Sequence, residues 1–149
     1  MTGDALTRLL AGLDQDEQLA RAALGVEHVH YDGTAACVGE RCIHDRRHPP
    51  ARVLRQVEAI REKVTAPYLA AVDAVEATVS ARQYAATRYT LAAMRLDHDS
   101  GDDERQTQER RAREELLSAE VQLASDVATR DAYASVIEAL ASIYTEDTA

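Results

Sequence analysis

The fold of this chain turns on residues 50–96, PARVLRQVEAIREKVTAPYLAAVDAVEATVSARQYAATRYTLAAMRL. Val53, Val57, Ile60, Val64, Tyr68, Val72, Val75 and Val79 recur there in steps of three and four. Such spacing puts apolar side chains on one face of an α-helix, whose period is about 3.6 residues. Pro50 suits the first helical position, where its missing N–H would have had no intrahelical partner. Pro67 is a different case, because an internal proline removes a hydrogen bond and costs about 3 kcal/mol. The stripe keeps its phase across Pro67. The spacing therefore predicts one long helix over 50–96, kinked near 67, with two helices meeting there as the alternative. The alanine-rich run from Ala81 to Leu96 continues it.

Outward from this helix, residues 97–104 (DHDSGDDE) form the clearest loop. Beyond it, Leu117, Val121, Ala124, Ala128, Val136, Leu140 and Tyr144 mark the expected buried stripe of a second long helix over 105–145. At 1.5 Å per residue, each long helix would span roughly 60–70 Å. A short loop between long helices makes them antiparallel neighbours. Upstream, Leu6, Leu9, Leu10, Leu13, Ala20 and Leu24 predict a helix over 4–24, with Asp4 as N-cap, Gly25 as stop and Asp14, Asp16 and Glu17 on its wet side. The expected architecture is all-α. It is an elongated antiparallel helical hairpin of coiled-coil type, with a short N-terminal helix and an irregular segment over 25–49, forming a single domain over 1–149. Tyr84 and Tyr89 are expected to pack in the seam. Glu58 with Arg61, and Arg110 with Glu114, have the spacing of helical ion pairs.

The irregular segment concentrates the metal-binding chemistry. His28, His30, Cys37, Cys42, His44 and His48 are both cysteines and all but one histidine of the protein. Thiolate and imidazole are preferred zinc ligands, usually four in a tetrahedron. Cys37 and Cys42 can form one ligand pair, and His44 and His48 the other, with His28 and His30 as substitutes. A closed site of four protein ligands would be structural. The alternatives are that these residues brace the start of the long helix, or that Cys37 and Cys42 form a labile disulfide. Val26 to His30 could form a short strand, and Glu40 to Arg47 one or two helical turns. The acidic loop at Asp97–Asp103 departs from the calcium-loop pattern, because Gly101 comes one place early and Gln108 stands where glutamate is needed.

Two stretches resemble an uncharacterised family of small proteins from actinobacteria and their phages. One is Leu13-Asp14-Gln15-Asp16-Glu17-Gln18-Leu19-Ala20-Arg21-Ala22-Ala23. The other is His44 followed by His48-Pro49-Pro50-Ala51-Arg52-Val53-Leu54-Arg55-Gln56-Val57-Glu58-Ala59. A third match is Leu140-Ala141-Ser142-Ile143-Tyr144. The family's usual tryptophan after the first helix is absent, and Pro49 stands where the family has aspartate. The resemblance implies a phage or prophage lineage and adds weight to His44, His48 and Arg52. It implies no activity.

The net charge of −9 disfavours nucleic acid and anionic membrane as partners, since phosphate binding draws on cationic side chains. No run of about 18 apolar residues is present to span a membrane, and the N-terminus lacks the pattern of a secretory signal, so a cytoplasmic location is expected. No phosphate loop, nucleophile elbow, or serine or cysteine with an evident base can be read. The expected function is a non-enzymatic helical module that binds another protein, with a homodimer as one form of association. The alternatives are a nucleic-acid regulator using the Arg46–Lys63 region and a metal-dependent enzyme.

Overall fold

The computed structural model describes residues 2–24, 27–29, 36–38, 50–97 and 103–146. The fold is all-α apart from one short strand pair. The helices are α1 (Thr2–Leu24), α2 (Pro50–Ile60), α3 (Ala66–Asp97) and α4 (Asp103–Glu146). Strands β1 (Glu27–Val29) and β2 (Ala36–Val38) pair antiparallel, with His28 opposite Cys37. The strand expected near Val26–His30 is thus present. Its partner at Ala36–Val38 carried no signal in the sequence. The helical turns expected at Glu40–Arg47 lie outside the described residues.

Helix α1 starts two residues earlier than its capping pattern suggested. Asp4 sits within the first turn rather than at the cap, where its charge still favours the positive helix terminus. Between α2 and α3 the chain does not break. Arg61–Thr65 form a π-turn, in which the Ala66 N–H donates to the Arg61 carbonyl. Pro67 explains this widening. It has no N–H to offer the Lys63 carbonyl, and its ring would collide with that group in a regular α-turn. The buried Thr65 hydroxyl donates to the same Arg61 carbonyl at 2.7 Å.

The chain forms two compact units: Met1–Pro67 with Ala134–Ala149, and Tyr68–Tyr133. In the first, α1 buries Ala5, Leu9, Leu13 and Ala20, spaced by whole helical turns. Val57 of α2 and Ile137 and Ala141 of α4 are also buried there. Leu9, Leu13 and Ile137 are fully buried, and each such side chain contributes roughly 1.5–3 kcal/mol.

The second unit is an antiparallel hairpin of α3 and α4. As position rises on α3, its partner on α4 falls: Thr78 meets Asp126, Arg82 meets Glu120, Arg88 meets Glu115, and the Arg95 carbonyl meets Arg105. The seam is made of small residues every seven positions, Ala71, Thr78, Ala85 and Ala92 on α3, and Ala112, Ala119 and Asp126 on α4. Ala71, Ala85 and Ala112 are buried. Small side chains let two helix backbones approach closely.

Val57 and Tyr68 are buried as the stripe predicts; along the rest of the hairpin the seam corrects the expected phase of both long helices. On α4, Leu117 is 53% exposed and Val121 72%, and Ala124 and Ala128 are also exposed. That part of the expected stripe runs along the outside of the helix. Val136 is exposed too, while Leu140 and Tyr144 are half-buried as expected. On α3, Val72 and Val75 lie beside the seam and Val79 is exposed. Tyr84, expected in the seam, is 69% exposed, and Tyr89 is half-buried.

Candidate functional site

In the first unit Arg61 is the organising charge. It lies at the start of the π-turn and reaches α1, where its guanidinium donates to Glu17 and, at 2.6 Å, to Asp14. Arg21 donates to the other Glu17 oxygen at 2.5 Å. Two guanidinium groups hold the Glu17 carboxyl below its ordinary value, Arg61 most strongly and Arg21 next. Glu17, and then Asp14, keep Arg61 charged. The helical pair expected between Glu58 and Arg61 gives way to this cross-helix bridge. Glu17, Arg21, Leu54, Val57, Glu58 and Glu62 line a groove of about 610 Å³ beside Arg61.

Tyr144 closes the same unit from α4. Its hydroxyl donates to Asp16 Oδ2 at 2.8 Å. Burial, then the hydrogen bond to Asp16, pushes its pKa up to about 12. The ring lies against Gly12. A β-carbon on Gly12 would fall closer than 3.0 Å to three ring atoms. Asp16 and Glu17, expected on the wet side of α1, are half-buried and carry these contacts. The described parts of the three stretches that carry the family resemblance therefore share one unit. Asp14, Asp16 and Glu17 come from the first, Leu54 and Val57 from the second, and Tyr144 from the third.

The hairpin presents two different sides. A residue three places after a seam position lies on one side of it. A residue one or four places after lies on the other. Two ion pairs fix the assignment, since Arg88–Glu115 (2.6 Å) follows the first rule on both helices and Arg82–Glu120 (3.1 Å) the second. The first side holds adjoining grooves of about 580 and 400 Å³ that share Glu115. Ala77, Ala81, Ala85, Ala92, Ala112 and Ala119 contribute their small side chains to the lining. Leu91, Arg88, Arg95 and Arg111 line the end near the hairpin turn. Tyr84 stands exposed beside it, with the Arg88 guanidinium 6.0 Å from its ring centroid. Among the described residues, no carboxylate pairs with Arg95 or Arg111. In the seam, the Thr78 hydroxyl lies 2.5 Å from Asp126 Oδ2 and 2.7 Å from the Ala74 carbonyl, so its single proton is shared between them. Gln122 donates to the other Asp126 oxygen at 2.9 Å.

Of the expected zinc ligands, Cys37 is placed only by its backbone, in β2 opposite His28. Cys42, His44 and His48 lie outside the described residues, as do His30 and the calcium-like loop over 98–102. Among the described residues no cluster of metal-ligating side chains forms. The expected basic run is altered by Arg61, which turns its charge to α1. Arg46 and Arg47 lie outside the described residues, while Arg52, Arg55 and Lys63 are exposed. Among the described residues, no helix is long and apolar enough to cross a membrane.

Sequence reasoning missed Gly12, Arg88, Arg95 and Arg111. Gly12 was visible as a glycine inside a helical pattern, which costs about 1 kcal/mol against alanine and calls for a packing reason. The arginines gave no signal, because only the pairing of α3 with α4 brings them to one groove. Comparison with known protein families, curated proteins and solved structures finds no match, so the resemblance rests on its three stretches alone.

Proposed function

We propose that this chain is a non-enzymatic helical module that binds another protein through the α3–α4 hairpin, in the groove ending at Arg88, Arg95 and Arg111. One observation carries the reading. A groove lined by alanines, flanked by exposed Tyr84 and Leu91, ends in Arg95 and Arg111, with which no carboxylate among the described residues pairs, on a chain whose net charge is −9. Alanine side chains leave room for a helix to lie close. Tyrosine and arginine are the residues most often responsible for affinity at protein interfaces. The fitting partner is an amphipathic helix with small apolar side chains along its length and acidic side chains at one end. The basic end supplies orientation, because the acidic remainder of the surface repels the same helix.

The test is photo-crosslinking in the cells that make the protein, with a photoreactive residue at Leu91 and a control at exposed Gln18 on α1. A discrete adduct with a second protein from Leu91, absent from Gln18 and lost in the Arg95→Glu, Arg111→Glu variant, is the expected result. No adduct from Leu91, or equal adducts from both positions, would overturn the proposal.

A further inference from the structure

The second unit has little core of its own. The largest fully buried side chains, Leu9, Leu13 and Ile137, all belong to the first unit. Among the described residues of the hairpin, the buried apolar ones are Tyr68, Ala71, Ala85 and Ala112. Alanine carries one methyl group, so such a seam removes little apolar area from water. Helices in proteins draw most of their stability from packing an apolar face. The larger apolar side chains of the hairpin stand beside the seam instead.

Six of them stand on one side. Val72, Val75 and Val79 of α3 follow a seam position by one or four places, and so do Leu116, Leu123 and Val127 of α4. All six are half-buried or exposed, and Leu117 and Ala124 extend the face outward. This is the side opposite the arginine groove. Its central charges, Arg82 and Glu120, pair with each other.

We infer that this face is the interface of a homodimer, in which two hairpins close into a four-helix bundle. Three observations choose a second copy as the occupant. The first is area. Thirty residues of helix are about 45 Å long, and two helices side by side are about 20 Å wide, so the whole side of the hairpin, apolar centre and charged ends together, offers about 900 Å² per copy. A stable interface needs about 800 Å² per partner. The second is charge. Two chains of net charge −9 repel each other, and they can meet only where the local charge is balanced. Arg82 with Glu120 gives that balance at the centre of the face. The third is self-complementarity. A two-fold interface sets the same patch against itself, so the apolar stretches of one copy must meet those of the other. Valines on α3 and leucines on α4 meet that condition. The inference goes beyond the proposed function, because it uses the other side of the hairpin.

The experiment is sedimentation velocity on the full chain across the micromolar range, with circular dichroism on the same samples. The wild type should run at twice the 16.3 kDa of one chain. Val79→Glu and Leu117→Glu place a charge at side chains already exposed in the single chain, so helicity should persist. Each should weaken self-association by about a hundredfold or more, since a dimer would bury the new carboxylate twice. Tyr84→Glu and Leu91→Glu, on the groove side, should leave the dimer intact. Monomer mass for the wild type throughout the range would overturn the inference and leave the face to a different protein. A dimer lost through the groove-side variants but kept by Val79→Glu and Leu117→Glu would overturn it as well.

Discussion

Replacing Gly12 with alanine tests the first unit at its tightest contact. Gly12 lies inside α1, where alanine is worth about 1 kcal/mol more than glycine on helix propensity alone. Propensity therefore favours the substitution. Packing opposes it, because the new β-carbon would enter the space of the Tyr144 ring at three atoms. Ring carbons held in a packed environment do not yield as a flexible side-chain end does, and overpacking of this kind costs about 1–3 kcal/mol. A displaced ring also loses its hydrogen bond to Asp16, and a bond to a charged acceptor contributes about 1.5 kcal/mol or more. The net expectation for Gly12→Ala is a loss of about 1.5–3.5 kcal/mol, packing and hydrogen bond outweighing propensity. The assay is urea unfolding followed by circular dichroism, where a lowered midpoint at unchanged slope reports lost stability. Two further variants make the test one of sign. Gly3→Ala meets no atom within 4 Å and should be neutral or stabilising. In a Tyr144→Ala background the obstruction is gone, and Gly12→Ala should stabilise by about 1 kcal/mol. A stabilising Gly12→Ala in the wild-type chain would refute the packing argument, and so would an equal loss in both backgrounds.

The Arg61 bridge makes stability depend on acidic pH. Folding holds the Glu17 carboxyl below its unfolded value of 4.5, so its contribution is present above that pH and is lost as pH falls through the folded value. Arg61→Ala should lower the urea midpoint near neutral pH and flatten its fall below about pH 4.5; an unchanged acid profile would argue against the bridge. At the alkaline end, one of the six tyrosines should ionise near pH 12 by ultraviolet absorbance, and that transition should vanish in Tyr144→Phe. Since folding raises this pKa from 10.0, the stability it supplies is full below pH 10 and disappears as pH rises through about 12. Elemental analysis of untagged protein, before and after chelator dialysis, decides the zinc reading of Cys37, Cys42, His44 and His48. That reading expects about one zinc per chain, with structure lost on its removal; metal-free protein of unchanged helicity returns the four residues to packing roles.

The sequence by itself determined that the described chain is largely helical, and roughly where each helix begins and ends. Pro50, the three-and-four stepping of Val53 to Val79 and the DHDSGDDE stretch are local signals, and such signals mark where a helix starts, runs and stops. The disturbance near Pro67 was legible for the same reason, since a proline's missing N–H acts on the turn that holds it. The side that α3 and α4 turn to each other in the hairpin was not legible. Apolar periodicity follows the largest side chains, and on α3 and α4 those surround more than one face. The backbones meet instead along Ala71, Thr78, Ala85 and Ala92 against Ala112, Ala119 and Asp126, because close approach selects small residues. The valines and leucines are thereby set to the flanks. The contacts between distant segments shared this fate. Arg61 looked like a partner for Glu58 one turn away, yet 44 residues of sequence separate it from Glu17, which holds it in the fold. Tyr144 reaches Asp16 across 128 residues. A helix's own geometry is written in neighbours three and four places apart, whereas its partners across space are settled only when tertiary packing brings distant segments together.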